Sequence, residues 1–155
     1  VRTGIGVDAH RFAHGRKLVL GGLQIPAARG LGGHSDADVV LHALMDALLG
    51  ASGAGDIGEL FPDTDEAYRD ASSVRLLEQV VGAVGERGYA IVNADIVVVC
   101  EEPKIAPYRE AMRSLIAKAL GVQVDAVSVK GTTTEGMGFT GRGEGIVAVA
   151  TVLVE

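Results

Sequence analysis

Tryptophan is absent and aromatic residues make up only 4% of the sequence, so large aromatic anchors cannot organise its core or its ligand contacts. Cysteine occurs once, at Cys100, which excludes an intrachain disulfide framework and any cysteine-cluster metal site. Positive charge is also scarce. A formal net charge of -6 leaves no basic surface broad enough for a nucleic-acid backbone, so a phosphate-bearing ligand would need metal ions and local donors. Long hydrophobic runs are missing as well, and the longest, Gly145 to Val154, falls far short of the ~18 to 20 residues that span a bilayer. No nucleic-acid or membrane partner is therefore expected. No signal peptide is visible, and the chain is expected in the cytoplasm, or in the plastid stroma if a transit peptide has been removed.

Glycine, by contrast, is plentiful, with 22 in 155 residues, which shifts weight onto turns and close backbone approaches. The length fits a single domain, residues 1–155, with a sizeable core. A strand is predicted from about Thr3 to Phe12, followed by glycine-rich hairpin material. A helix follows, capped by Ser35 with Asp36 and Asp38 in its first turn, its apolar positions running from Val39 to Leu49 and ending at Gly50. Ser52 to Ala71 is a long glycine-, proline- and aspartate-rich loop of the kind that often forms a binding lid. A second helix from about Ser73 to Glu86, a strand over "YAIVNADIVVVC", a third helix from about Pro107 to Gly121 and two final strands complete the pattern. The fold class is α/β: a single-layer mixed sheet covered by helices on one face. The last strand is apolar on both faces, so its second face is expected to pack against another subunit.

Four stretches carry chemistry. In "GIGVDAHRF", Asp8 and His10 are two apart on a strand and point to one side. His42 and Asp46 share a face of the first helix, and Asp8, His10 and His42 can converge as a three-ligand set for Zn²⁺ with the fourth position open. A D-x-H pair alone is as readily a structural hydrogen bond. "GGHSDAD" sets His34 and Ser35 at a helix amino terminus suited to phosphate, or forms a plain N-cap. In "KGTTTEGMGFTGRGEG", Thr132 and Thr133 can bind phosphate oxygens, Glu135 a hard divalent cation and Arg142 a forked phosphate contact; the alternative is a flexible polar turn. "GDIGELFPDTD" offers Asp56 and Asp63 to polar substrate groups and Phe61 as an apolar wall, or else solvated loop carboxylates.

Together "DAHRF", "GHSDADVVLHALMDALLGASGAGDIGELFPDTD", "EEPKIAPY" and "KGTTTEGMGFTGRGEGI" resemble the 2-C-methyl-D-erythritol 2,4-cyclodiphosphate synthase family through nearly the whole chain. The resemblance implies a homotrimer with its sheets facing the threefold axis and active sites at subunit interfaces. It implies conversion of 4-diphosphocytidyl-2-C-methyl-D-erythritol 2-phosphate to the cyclic diphosphate and CMP, in non-mevalonate isoprenoid biosynthesis. Asp8, His10 and His42 match the family's zinc ligands and Glu135 its ligand for Mg²⁺ or Mn²⁺. His34 and Thr133 match positions that stabilise the transition state. Asp8, His10, His34, Ser35, Asp46, Asp56, Ile57, Gly58, Phe61, Pro62, Asp63, Thr64 and Asp65 match substrate-binding positions. Cys100, Glu101, Glu102, Pro103, Lys104, Ile105 and Ala106 match the cytidine pocket, completed across a subunit boundary near Thr132, Thr133 and Thr134; Phe139 and Arg142 match further ligand contacts.

The pattern departs in places. Ile5 and Val7 stand where many members carry a histidine and a bulky apolar residue, Gly131 where alanine is usual, and Cys100 where a small residue is found. Gly136 and Met137 replace a basic residue and a leucine. The first pair leaves the zinc ligands untouched but alters the lining of any axial cavity. Two other functions use the same residues: a metal phosphohydrolase with water as nucleophile, and a non-catalytic trimer binding isoprenoid diphosphates through Phe139 and Arg142.

Overall fold

A computed structural model describes residues Val1–Glu155. The alternating opening segment forms β1 (Arg2–Ala13), and two short strands, β2 (Leu18–Leu20) and β3 (Leu23–Ile25), pair as a hairpin before β4 (Gly30–Leu31). The first long helix, α1 (Val39–Ser52), leads into a short α2 (Ile57–Leu60) and then α3 (Ser73–Glu86). β5 (Ile91–Val99), α4 (Arg109–Leu120), β6 (Val127–Thr132), a one-turn α5 (Gly138–Gly141) and β7 (Gly145–Val154) follow. The main sheet has five strands in the order β4-β1-β7-β5-β6, antiparallel throughout except for the β5–β6 pair. The expected mixed sheet is present. No helix is long and apolar enough to cross a membrane.

Side-chain alternation explains the layering. Ala94, Ile96 and Val98 of β5, Val127 and Val129 of β6, and Ile146, Ala148, Ala150 and Val152 of β7 are buried on the helix side. α1 lies across β1 and β7, α4 covers β6, and α3 packs alongside both helices. On the other face Ile5 and Val7 are 66% and 59% exposed, and Val97, Val147 and Val149 are only half-buried. This uncovered apolar face is the one anticipated from the last strand.

Two glycines set how closely α1 approaches. A methyl built on Gly4 would overlap the carbonyl oxygen of Ala47 and sit 2.8 Å from the amide nitrogen of Ala51. On Gly6 it would overlap the carbonyl oxygen of Ala43 and sit 2.7 Å from the nitrogen of Ala47. Helix backbone therefore rests on strand backbone, and the next residues on the same face of β1 are Asp8 and His10.

The helix boundaries differ from those expected. α1 begins after Asp38, not after Ser35, because Asp38 is extended (φ -70, ψ 90) and its Oδ1 accepts the Leu41 N–H at 3.1 Å. The same carboxylate accepts N–H bonds from Gly21 at 2.9 Å and Gly22 at 2.6 Å in the β2–β3 turn. Both glycines have positive φ, which that tight turn requires. Complete burial pushes the Asp38 carboxyl up to about 6, even though these three N–H bonds act in the opposite direction. Tertiary donors thus selected the cap. Asp36 and Asp38 accordingly lie outside the first turn. The helix also runs past Gly50 to Ser52 before Gly53, at φ 67, ends it. Ala51 and Ser52 are buried, and the Ser52 hydroxyl donates to the Leu48 carbonyl, so the last turn is held from inside. The long loop is not structureless, since it contains α2 and a 3-10 turn at Glu66–Tyr68.

The close approach makes a prediction of sign. Gly6→Ala should lower unfolding stability by about 3 kcal/mol or more, because it sets a methyl against helix backbone that cannot give locally. Gly50→Ala, exposed and with open space around it, should raise stability by up to about 1 kcal/mol. Urea titration of both variants checks this, and an unchanged midpoint in Gly6→Ala would refute the packing argument.

Candidate functional site

Because Gly4 and Gly6 bring β1 against α1, the next residues on each element meet. Asp8 Oδ2 lies 2.9 Å from His10 Nε2 and 3.1 Å from His42 Nδ1, and the two ring nitrogens are 3.1 Å apart. Three donors from two elements thus face one point. A tetrahedral ion with bonds of about 2.0–2.1 Å spaces its ligand atoms about 3.3 Å apart, so small rotations of these side chains admit one. The donor chemistry, two imidazoles and a carboxylate, suits a borderline-soft divalent cation.

Neighbours orient the set. His10 Nδ1 lies 2.9 Å from the Gly32 carbonyl oxygen, which can only accept, so Nδ1 carries a proton and Nε2, once deprotonated, turns its lone pair to the cluster. Gly33 lies against the same edge of that ring, where an added methyl would come 3.2 Å from His10 Cε1. Burial works against charge on Asp8, but the His10 and His42 rings beside it outweigh that and hold the carboxyl well below the usual carboxylate range. For His10 burial pulls the ring down and the bond to Asp8 pulls it up, with a net rise. Asp8 is therefore ionised at neutral pH, the form a metal ligand needs.

The cluster opens onto a cleft of about 450 Å³. His34, Ser35, Ile57, Gly58, Phe61, Pro62 and Asp63 line it, bringing the lid segment over His10 and His42 as anticipated. His34 Nε2 donates to the Asp65 carbonyl at 3.1 Å and so ties the two walls together. Asp46 shares the helix face of His42, but its Oδ1 accepts the Ile57 N–H at 2.9 Å and fastens α2 to α1. Burial raises the Asp46 carboxyl, opposed by that N–H and aided by the charges of Asp56 and Asp8. Asp56 caps α2 by accepting the Glu59 N–H, and Asp65 accepts the Ala67 N–H; Thr64 lies exposed between them and α2. The phosphate reading of the α1 amino terminus is not supported, because Asp38 occupies it with a carboxylate. Ser35 Oγ instead sits 3.1 Å from His42 Nε2.

A second group forms at the far edge of the sheet. Cys100, Pro103, Lys104, Ile105 and Ala106 line a hollow with Gly131, Thr132 and Thr133. Burial pushes the Cys100 thiol up to about 11, leaving a neutral wall rather than a nucleophile. Glu102 and Lys104 are exposed, and Glu101 Oε1 accepts the Gly136 N–H at 3.0 Å, which holds the turn that carries Glu135. Glu135 has φ 54, a strained conformation for a side-chain-bearing residue. Thr134 Oγ1 is 2.9 Å from Thr140 Oγ1, Phe139 is 46% exposed, and Arg142 Nε donates to Glu144 at 2.8 Å.

The sheet register measures the gap between the two groups. Asp8 pairs with Ala148, Ala148 with Val98, and Val98 with Gly131. Three interstrand steps separate them, about 14 Å. Within one chain Asp8 and the end of β6 therefore lie apart across the sheet. Tyr68, Met45 and Leu76 also line the cleft, and Arg109 lines the second hollow. Nothing in the spacing marks Met45, Leu76 or Tyr68 as lining residues; the Tyr68 ring packs edge-on to Phe61 at 5.2 Å between centroids.

The chain has close known relatives. A profile of the YgbB family matches residues 1–155. The 2-C-methyl-D-erythritol 2,4-cyclodiphosphate synthase of Rubrobacter xylanophilus is 59% identical over 157 residues, covering 99% of this chain and 94% of that protein. Among solved structures, the bifunctional IspDF from Campylobacter jejuni superposes with a TM-score of 0.95 at 46% identity. That match covers 99% of this chain and 42% of the longer bifunctional one. A CDP-bound 2C-methyl-D-erythritol-2,4-cyclodiphosphate synthase superposes with a TM-score of 0.91 at 38% identity, covering 99% of this chain and 100% of that one.

The three-donor cluster should hold about one Zn²⁺ per chain, with His42 indispensable. Metal analysis after dialysis should find zinc in the wild type and none in His42→Ala, whose helical circular dichroism should be unchanged. Full zinc occupancy in His42→Ala would reject the assignment.

Proposed function

The chain belongs to the YgbB family, and we propose that it converts 4-diphosphocytidyl-2-C-methyl-D-erythritol 2-phosphate to 2-C-methyl-D-erythritol 2,4-cyclodiphosphate and CMP in isoprenoid biosynthesis. The observation that carries this reading is the open cluster of Asp8, His10 and His42 at the cleft of a chain so close to such synthases. In the reaction an oxygen of the 2-phosphate attacks the β-phosphorus, and the bond from that phosphorus to the oxygen bridging to the α-phosphate breaks. CMP leaves with the bridging oxygen and its electron pair. The nucleophile is already an anion, so no strong base is needed, and positioning and charge stabilisation remain as the protein's task.

The residues divide that task. Asp8, His10 and His42 would hold Zn²⁺, and Glu135 would hold Mg²⁺ or Mn²⁺. When bound, these cations supply positive charge to the diphosphate oxygens. His34, at the cleft rim, would turn its ring N–H from the Asp65 carbonyl to an oxygen on which charge develops, and Thr133 would donate its hydroxyl to another. Ser35 lines the same cleft between His34 and His42. Asp46, Asp56, Gly58 and the Phe61–Asp65 segment enclose the erythritol portion, with Asp56 and Asp63 accepting from its hydroxyls and Phe61 excluding water. The Cys100–Ala106 hollow accepts the cytidine, and Thr132 closes it.

Both cations must reach one diphosphate, yet about 14 Å of sheet separates Asp8 from Gly131 in the same chain. The site is therefore shared: the Thr132–Glu135 segment of one chain serves the metal cluster of its neighbour. The uncovered apolar face, with Ile5 and Val7, supplies the area for that association, and the assembly is a homotrimer.

Phosphorus NMR of the reaction tests the chemistry, since cyclisation gives a cyclic diphosphate plus CMP. Release of a linear diphosphate or inorganic phosphate instead would show a hydrolase, and no turnover would favour a binding protein. Sharing makes a separate prediction. Glu135→Gln alone should keep its zinc and lose activity at least ~10²-fold, the scale of removing one electrostatic stabiliser. Mixing subunits of Glu135→Gln and His42→Ala should restore on the order of a quarter of the sites, because each hybrid interface can pair an intact cluster with an intact Glu135. No recovery in verified mixed trimers would place both groups in one chain's site and contradict the shared arrangement.

A further inference from the structure

The ring of His42 is held on the side away from the metal cluster by a chain of groups that the reaction does not use. His42 Nδ1 faces Asp8 and His10, while His42 Nε2 lies 3.1 Å from Ser73 Oγ and 3.1 Å from Ser35 Oγ. Ser73 is fully buried at the start of α3. Its hydroxyl donates to Asp36 Oδ1, and its backbone N–H donates to Asp36 Oδ2 at 3.0 Å. Asp36 Oδ1 also accepts the Asp38 N–H at 3.2 Å, so the carboxylate faces three donors.

The direction of each bond follows from what the groups can do. A carboxylate only accepts, so Ser73 spends its one O–H proton on Asp36 and keeps lone pairs for His42. Ser35 Oγ accepts the Ala37 N–H at 3.2 Å and offers His42 a second acceptor. His42 Nε2 must then carry the ring proton, which leaves the lone pair on Nδ1, the atom that faces Asp8. We propose that Asp36 and Ser73 are positioning residues for the metal centre, fixing through the Asp36–Ser73–His42 chain both the tautomer and the orientation of the His42 ligand. The inference rests on Asp8, His10 and His42 being a metal centre. It also links two elements, because Asp36 precedes α1 and Ser73 opens α3, so the seating of α3 is coupled to the ligand ring.

The chain predicts unequal effects for two substitutions. Ser73→Ala removes the relay but leaves Ser35 as an acceptor. Asp36→Asn has one acceptor oxygen where the carboxylate has two; with that oxygen on the Ser73 N–H, its amide must donate to Ser73 Oγ. The Ser73 hydroxyl is then pushed to donate to His42 Nε2, which shifts the ring proton onto the metal-facing Nδ1. Zinc affinity, measured by competition with a chromophoric chelator, should fall 10–100-fold, more in Asp36→Asn than in Ser73→Ala. The visible spectrum of the Co²⁺-loaded protein should change in both, reporting altered ligand geometry that a loss of global stability would not mimic.

Ser72→Ala serves as the control, since Ser72 is exposed at the α3 cap and makes no side-chain capping bond, and it should bind zinc and cobalt as the wild type does. Wild-type affinity and an unchanged cobalt spectrum in Ser73→Ala would overturn the proposal, and that variant decides it alone if Asp36→Asn fails to fold. A wild-type protein that binds neither metal would overturn the metal-centre reading itself, which is a different result from intact binding in the variants.

Discussion

The fold and the site both depend on the contact of helix backbone with strand backbone where Gly4 and Gly6 of β1 meet Ala43 and Ala47 of α1. Any side chain larger than hydrogen at the two glycines would lift the helix off the sheet. One step further along each element the small residues give way to Asp8, His10 and His42, whose side chains then reach one another at about hydrogen-bond distance. Close packing and the convergence of three potential metal ligands are thus consecutive uses of the same interface. A carboxylate and two imidazoles could not be held at this spacing by flexible loops without a larger entropic cost.

Around that interface, buried carboxylates fix loops by accepting backbone N–H groups. Asp38 joins the β2–β3 turn to the start of α1, Asp36 joins the segment before α1 to α3, and Asp46 joins α1 to α2. The cleft wall is therefore assembled on the helix that carries His42, and the α2 segment and His42 share supports. The opposite end of the sheet is built differently. There Glu135 stands at positive φ in an exposed turn, held by Glu101, and is not part of the Asp8, His10 and His42 group.

Much of this was legible in residue spacing. The two-residue step from Asp8 to His10, the helical placement of His42 and the doubly apolar last strand all follow from local periodicity, and the structure bears them out. What periodicity could not supply were choices made by distant partners. Ser35 and Asp38 are both good N-cap residues, and Asp38 takes the role because Gly21 and Gly22 offer it two more N–H groups. Gly50 reads as a helix end, but buried Ala51 and Ser52 carry the helix further. The partners of Ser73 are 31 and 37 residues away in sequence, beyond any local pattern. That Glu135, Thr133 and the Cys100–Ala106 segment would serve one site with Asp8, His10 and His42 rests on resemblance to a family, since within one chain the two groups lie apart across the sheet.

The central claim is that the β1–α1 contact builds a metal centre of two imidazoles and one carboxylate. X-ray absorption at the zinc edge of the loaded protein tests it most directly. The account predicts imidazole scattering from two histidines and a first shell of nitrogen and oxygen at about 2.0–2.1 Å, with no sulfur at about 2.3 Å. A sulfur contribution, which could come only from Cys100 or a methionine, or an all-oxygen shell without imidazole scattering, would contradict it.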